Sequence, residues 1–258
     1  MILNERKVDP WYRATTPIKY PGLDGHSTGF FYMRKGEPHL ITNRHAFYDI
    51  HQDGSVSFRP ERIAIRIRHD HNDYSKTIAH SIDLYENGNP RWLEHPNYHI
   101  DVAGIPLDLD WDSNGNTSFA GGGHWSLPTS GKVDEEYGIL TPEFGDSAVV
   151  MGYPIIDTTD YLPVLRNALI ASQYGRFQRD EPYFLIDANL HEGISGSPVI
   201  YNRRNSRGQK EAHLLGIHSG PFDLSQRGSE NLNRVWYRKT ILGLFGEFPV
   251  QHSVDEFW

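Results

Sequence analysis

Two glycines bracket a serine in Gly193-Ile194-Ser195-Gly196-Ser197-Pro198-Val199-Ile200, and a proline then leads into a strand-like pair. A serine that attacks a carbonyl needs its hydroxyl projecting from a tight turn. It also needs neighbouring backbone N–H groups free to face the oxygen that becomes negative. Glycine allows the backbone angles of such a turn. The same octapeptide also reads as an ordinary Gly/Ser turn. A strand–turn–helix hydrolase elbow does not fit, because it asks for G-x-S-x-G, position 197 is Ser, and Pro198-Val199-Ile200 reads as strand.

A nucleophilic serine needs a base, and the chain has 14 histidines. His45 differs in its setting. It follows the apolar run His39-Leu40-Ile41-Thr42-Asn43, where the end of a strand can fix a side chain at a rim. For any single histidine, a surface or core position is the ordinary reading. An imidazole base in turn needs a carboxylate to hold its tautomer and stabilise its cation. Asp101 heads Asp101-Val102-Ala103-Gly104-Ile105-Pro106-Leu107, and an acid opening a buried-looking strand is costly without a partner. Asp83 and Asp108 are weaker competitors, each readable as a solvated strand end.

The elements that must position these groups read as β almost throughout. Thr28–Arg34, a Lys35–Pro38 turn and His39–Asn43 form a hairpin pattern. Ile63–Ile67 alternates apolar and basic residues with period 2. Further strand candidates are Thr77–Leu84, His99–Leu107, Ala148–Gly152, Leu165–Ser172, Tyr183–Asp187, Val199–Asn202, His213–His218 and Val235–Arg238. Turn chemistry separates them at Asn87–Pro90, Ser113–Asn116, Gly121–Gly123, Asn202–Gly208 and Ser219–Pro221. Many short strands and one short helical stretch, Thr240–Gly246, point to an antiparallel sandwich or barrel architecture. The Gly/Ser-rich stretch Ser113–Gly131 divides the chain near its middle.

Composition narrows the function classes. The 258 residues carry 25 Lys+Arg against 33 Asp+Glu, a net charge of −8, which disfavours nucleic acid as a partner. Mean hydropathy is −0.57, and no run approaches a membrane span. The start MILNERKVDP has charges where a secretion signal needs apolar residues, so no signal peptide or membrane partner is expected, and a cytoplasmic setting follows. Zero cysteines exclude disulfides, thiolate metal sites and cysteine catalysis together.

The strings STGFFY (Ser27–Tyr32), LITNRHAF (Leu40–Phe47), HPNYHIDVAGIPL (His95–Leu107), GYP (Gly152–Pro154) and FLIDANLHEGISGSPVI (Phe184–Ile200) resemble the trypsin-like serine peptidases. The match is to their disulfide-free bacterial branch, similar to glutamyl endopeptidases and HtrA-type protease domains. It runs from about residue 27 to 244, in the order His45, Asp101, Ser195, with steps of 56 and 94 positions. The resemblance implies an all-β fold of two six-stranded antiparallel barrels with a short C-terminal helix. Residues 1–125 would carry His45 and Asp101, and residues 126–258 would carry Ser195 and the specificity pocket. Ser195 would attack, His45 would take its proton, and Asp101 would orient the imidazole. The backbone N–H groups of Gly193 and Ser195 would form the oxyanion hole. The substrate would be a protein or peptide, with no metal or organic cofactor.

Two departures from the family pattern bear on activation and specificity. Ile194 stands where the zymogen-activated branch carries an acid, so that activation route is not expected. Asn189, Leu190, Glu192, His218, Ser219 and Gly220 are the implied pocket residues. His218 matches a histidine that glutamyl endopeptidases use against an acidic side chain, but Leu190 replaces their hydroxyl and Glu192 would repel an acid. Asn189 carries no charge to favour Arg or Lys. Asp110–Ser118 resembles the start of a calcium loop but has Gly121 at its twelfth position, and a solvated turn is the default. His69–Asp73 reads as a polar hairpin turn rather than a metal cluster. A protease lacking a visible pro-segment would be restrained by narrow specificity, by an activating or inhibitory protein partner, or by a distorted resting site. The competing functions are a non-catalytic or autoinhibited binding module on the same barrels, and an esterase-like acyl hydrolase.

Overall fold

Phe30, Phe31 and Tyr32 are consecutive bulky residues, and all three are buried. In a strand with period 2 this happens only when both faces are covered. Phe31 faces the interior of one sheet with Leu40, Ile63, Ile65 and Ile105. Phe30 and Tyr32 face a different cluster that also contains Met151, Ile200, Ile217 and Trp236. Those last residues belong to a second sheet, so the run marks the seam between two β units.

The structure is a computed structural model and describes residues 11–50, 56–68, 77–107, 142–154, 162–204, 210–222 and 231–247. A single-turn helix α1 (Trp11–Ala14) is followed by β1 (Thr15–Lys19), β2 (His26–Arg34), β3 (Glu37–Thr42), β4 (Asp49–Ile50), β5 (Val56–Phe58), β6 (Arg62–Arg68) and β7 (Thr77–Asp83). Then come β8 (Tyr85–Glu86), β9 (Asn89–Pro90), β10 (Leu93–Glu94) and β11 (Ala103–Pro106). The second unit holds β12 (Ser147–Gly152), β13 (Val164–Ile170), β14 (Tyr183–Asp187), β15 (Pro198–Arg204), β16 (Lys210–Pro221), β17 (Leu232–Tyr237) and the helix α2 (Thr240–Gly243).

The second unit is a closed antiparallel barrel, in the order β12-β13-β14-β17-β16-β15. Its interior is filled by Val150, Ile170, Phe184, Ile186, Ile194, Val199 and Val235 among others. The first unit is a seven-stranded sheet, β10-β11-β3-β2-β1-β6-β7, rather than a closed six-stranded barrel. Its two edges explain the difference. β10 is two residues long, β7 is exposed or half-buried at every position but Ile82, and the two edge strands do not pair with each other.

β1 has no clear signature in the sequence because Pro17 lies within it, and proline removes a ladder donor. The ladder to β6 reaches only Ile18 and Lys19. Beyond them the Thr16 hydroxyl takes over, donating to the Arg66 carbonyl and accepting from the Arg66 N–H, both at 2.9 Å.

The seam cluster also takes in Trp11, Ile41, Ile100, Val102, Tyr183, Leu214, Ile241 and Leu244, so both terminal helices pack on it. Full burial of one such side chain contributes roughly 1.5–3 kcal/mol, so the seam is a substantial apolar interface. The expected dividing stretch near residues 113–131, the boundary at 125, the Asp110–Ser118 loop and the His69–Asp73 cluster all lie outside the described residues.

Candidate active site

β3 ends at Thr42, and the chain turns at once into a single 3-10 turn, Arg44–Ala46. The turn projects His45 from the sheet edge with its side chain 34% exposed. The Asp101 approach differs from the expected strand His99–Leu107. β11 begins only at Ala103, and residues 95–100 form a turn whose His95 Nδ1 accepts the Asn97 N–H at 3.1 Å. Asp101 therefore sits in the irregular step between turn and strand, free of ladder geometry. Arg44 braces the same step, its guanidinium 3.8 Å above the Tyr98 ring and hydrogen-bonded to the Tyr98 carbonyl.

The two side chains meet. His45 Nδ1 lies 2.7 Å from Asp101 Oδ2, and the His45 backbone N–H donates to Oδ1 at 3.0 Å. Asn43 Nδ2 donates to the Asp101 carbonyl at 2.8 Å, fixing the main chain under the carboxylate. Ser219 Oγ donates to Oδ2 at 2.7 Å. Burial pushes the Asp101 carboxyl up, but the adjacent His45 charge and the donors from His45 and Ser219 outweigh it and hold the pKa below the ordinary carboxylate value. Burial likewise pushes His45 down, yet the Asp101 charge and hydrogen bond dominate and raise it above the ordinary imidazole value. This arrangement fixes the tautomer, with the proton on Nδ1 and the lone pair on Nε2.

Ser195 stands on a turn with Gly193 at φ +85° and Gly196 at φ +84°, a left-handed backbone that only glycine adopts easily. The turn has no room for side chains either. A Cβ on Gly193 would lie 1.8 Å from His26 Nε2, and one on Gly196 2.1 Å from the Thr28 carbonyl oxygen. Among the described residues, the backbone N–H groups of Gly193 and Ser195 donate to no protein acceptor. His45 Nε2 and Ser195 Oγ also make no hydrogen bond, to each other or elsewhere, among the described residues.

The implied pocket residues separate. Asn189 and Glu192 are exposed and Leu190 is half-buried. Arg166 holds the Asn189 carbonyl with Nη2 at 2.8 Å and Nε at 3.2 Å. His218 is only 2% exposed and points inward. Its Nε2 is 3.1 Å from Asn233 Oδ1 and its Nδ1 is 3.3 Å from the Ile194 carbonyl. Asn233 Nδ2 donates to the carbonyls of Ala188 and Asn231, both at 2.8 Å, which leaves its Oδ1 facing the histidine. Burial pushes His218 down to about 4, so the ring is neutral at pH 7 and has one N–H for two facing oxygens. Gly220 has φ +95° and open space around it. Thr28, Thr42 and Asn43 lie inside the family-like strings but had no role read for them, and Asn233 and His26 had no signal at all, because their partners Ala188 and Tyr153 lie far away in sequence.

The architecture is the trypsin-like fold, two antiparallel β units meeting at an apolar seam. Solved structures share it. A serine-to-alanine variant of the HtrA-type protease AlgW with a tripeptide matches at TM-score 0.50 and 18% identity, covering 91% of this chain and 60% of that one. The Rv3671c protease from M. tuberculosis in its active form matches at TM-score 0.48 and 15% identity, over 93% of this chain and 82% of that one. An inactive form of Rv3671c gives 0.48 and 14%, over 97% and 93%. No protein-family model matches the chain, and no curated protein matches it in sequence.

Proposed function

We propose that this chain is a serine endopeptidase acting on proteins or peptides. One observation carries the reading: a half-buried His45 whose Nδ1 is held at 2.7 Å by a carboxylate that accepts two further hydrogen bonds, from the His45 N–H and the Ser219 hydroxyl. A carboxylate so well satisfied keeps its charge, and its charge makes the imidazole a stronger base.

Ser195 Oγ attacks the scissile carbonyl carbon as its proton passes to His45 Nε2. The carbonyl oxygen takes up the electron pair as an oxyanion, and the unengaged N–H groups of Gly193 and Ser195 receive it. One such donor contributes roughly 2.7–4 kcal/mol to the transition state. As the tetrahedral intermediate collapses, His45 returns the proton to the leaving amine. Water then enters by the same route, hydrolyses the acyl ester and restores Ser195. Asp101 stays ionised throughout and stabilises the imidazolium. A cytoplasmic setting is part of the reading, supported by a fold that needs no cysteine.

A fluorophosphonate probe with intact-mass analysis and peptide mapping tests the assignment. Stoichiometric labelling at Ser195, abolished in Ser195→Ala, is expected. Turnover of casein or a peptide library should vanish in the same variant. Equal turnover by both proteins would show that the barrels serve a binding or other role.

A further inference from the structure

Thr28 lies in β2 of the first sheet and is wholly buried, yet three of its four hydrogen bonds cross to the second barrel. Its N–H donates to the Ser195 carbonyl at 2.9 Å. Its hydroxyl donates to the Gly193 carbonyl at 2.7 Å and accepts the Tyr153 N–H at 2.9 Å. The fourth bond runs the other way: the Thr28 carbonyl accepts the Thr42 hydroxyl at 2.8 Å. Thr42 closes β3, three positions before His45.

One residue therefore grips the main chain on either side of Ile194 and is tied through Thr42 to the segment that projects His45. The hydroxyl's one proton and one of its two acceptor lone pairs are engaged, each by a backbone group of the second unit. The surroundings are cut to this hub. A Cβ on Gly196 would meet the Thr28 oxygen at 2.1 Å and Thr42 Oγ1 at 2.3 Å, and a Cβ on Gly152 would meet Thr28 Oγ1 at 3.0 Å. Apolar packing along the seam is non-directional and does not by itself specify the angles at which Ser195 and His45 meet. Hydrogen bonds to three fixed backbone groups do.

Resting on the endopeptidase reading, we propose that Thr28 is the positioning residue that sets Ser195 against His45 across the seam, with Thr42 as its link to the histidine turn. It touches no substrate. Its effect is on the alignment of nucleophile and base, and a 1 Å misplacement of such groups costs on the order of 100-fold in rate.

Three variants test this: Thr28→Val, which keeps the shape and removes the hydroxyl, Thr28→Ser, which restores it, and Thr42→Val, which cuts the link. The readouts are kcat and KM on a peptide substrate, the rate of Ser195 phosphonylation, and the thermal midpoint. Thr28→Val is expected to lose kcat and phosphonylation rate by about 100-fold with KM little changed. Thr28→Ser should recover most of both, and Thr42→Val should show a smaller loss of the same kind. A folded Thr28→Val with wild-type kcat overturns the proposal. So does Thr28→Ser if, folded, it is as slow as Thr28→Val, because the methyl would then be what matters. If Thr28→Val does not fold, Thr42→Val decides: wild-type kcat in that variant also overturns it. Failure of the wild-type protein to label at Ser195 removes the endopeptidase reading itself, whereas equal labelling of wild type and Thr28→Val removes this proposal alone.

Discussion

Ser219 donates its hydroxyl to Oδ2 of Asp101 at 2.7 Å, although the two residues are 118 positions apart. Oδ2 is the same oxygen that faces His45 Nδ1. The serine thus holds the very oxygen that faces the imidazole, and it does so from the strand that borders the expected substrate cleft. Ser219→Ala leaves that oxygen with one donor fewer while Asp101 stays charged. A hydrogen bond to a charged group contributes roughly 1.5–3 kcal/mol, and two other donors remain, so a loss near tenfold in kcat/KM is expected. Steady-state kinetics check it, and an unchanged kcat/KM would show the contact to be incidental.

Activity should rise with pH through the His45 pKa, because the base acts in its neutral form. That pKa is raised above the ordinary 6.5 by Asp101. In Asp101→Asn the charge is gone, and the acidic limb should move to lower pH as the rate falls by roughly 10⁴-fold. A pH profile of kcat/KM on both proteins decides. An acidic limb that stays in place would mean that Asp101 does not set the His45 pKa.

The same pair makes folding depend on pH in two windows. Asp101 is depressed in the folded protein, so its contribution is present above the ordinary 3.8 and is lost as pH falls through the folded value. His45 is raised, so its contribution is full below 6.5 and is lost as pH rises through the folded value. Urea denaturation of wild type and Asp101→Asn should therefore show the largest gap at intermediate pH, narrowing toward acid as Asp101 takes up its proton and narrowing in part toward alkali as His45 loses its charge. Parallel curves would contradict the linkage.

His218 adds a dependence of its own. Burial lowers it to about 4, so between that value and 6.5 the unfolded chain binds a proton that the folded one does not. Stability is present above 6.5 and falls as pH drops through this window, by up to roughly 1.4 kcal/mol per pH unit. In NMR, the His218 ring should titrate far below the His45 ring. A His218 midpoint near 6.5 would mean that the ring is not buried as described.

Gly196 and Gly220 both have positive φ, and alanine substitution should separate two costs. A Cβ on Gly220 meets nothing within 4 Å, so Gly220→Ala should cost only the left-handed backbone, roughly 1–2 kcal/mol. A Cβ on Gly196 meets the Thr28 carbonyl at 2.1 Å, adding overpacking of roughly 1–3 kcal/mol against backbone that cannot rotate away. Denaturant midpoints of the two variants are the measurement. Equal losses would mean that the Thr28 bridge yields readily.

The parts of the site legible in the sequence were local ones. Gly193 and Gly196 announced a turn around Ser195, and the apolar run ending at Asn43 announced a rim for His45. Asp101 stood out as an acid before buried residues, although the strand behind it starts at Ala103 rather than His99. Ser219 and His218 were expected at the pocket only through the family resemblance, not from any pattern of their own. In the structure Ser219 bonds to Asp101, and His218 is sealed between Asn233 and the Ile194 carbonyl. Asn233 offered no pattern at all, because its partners Ala188 and His218 lie on other segments. The open first sheet was equally hidden. Strand periodicity reports which residues face inward, whereas closure depends on whether the two edge strands, far apart in sequence, meet and pair, and β7 and β10 do not.

An all-β, cysteine-free chain with a glycine-framed serine and a histidine at a strand end is readable from residue order alone, because turn angles, side-chain period and composition are properties of neighbouring residues. Only the tertiary structure decided that Thr28, Thr42, His45, Asp101, Ser195 and Ser219 converge at one seam. Hydrogen bonds between distant segments are short-ranged and directional, so their partners are chosen by how the two sheets pack and not by anything encoded nearby in the chain.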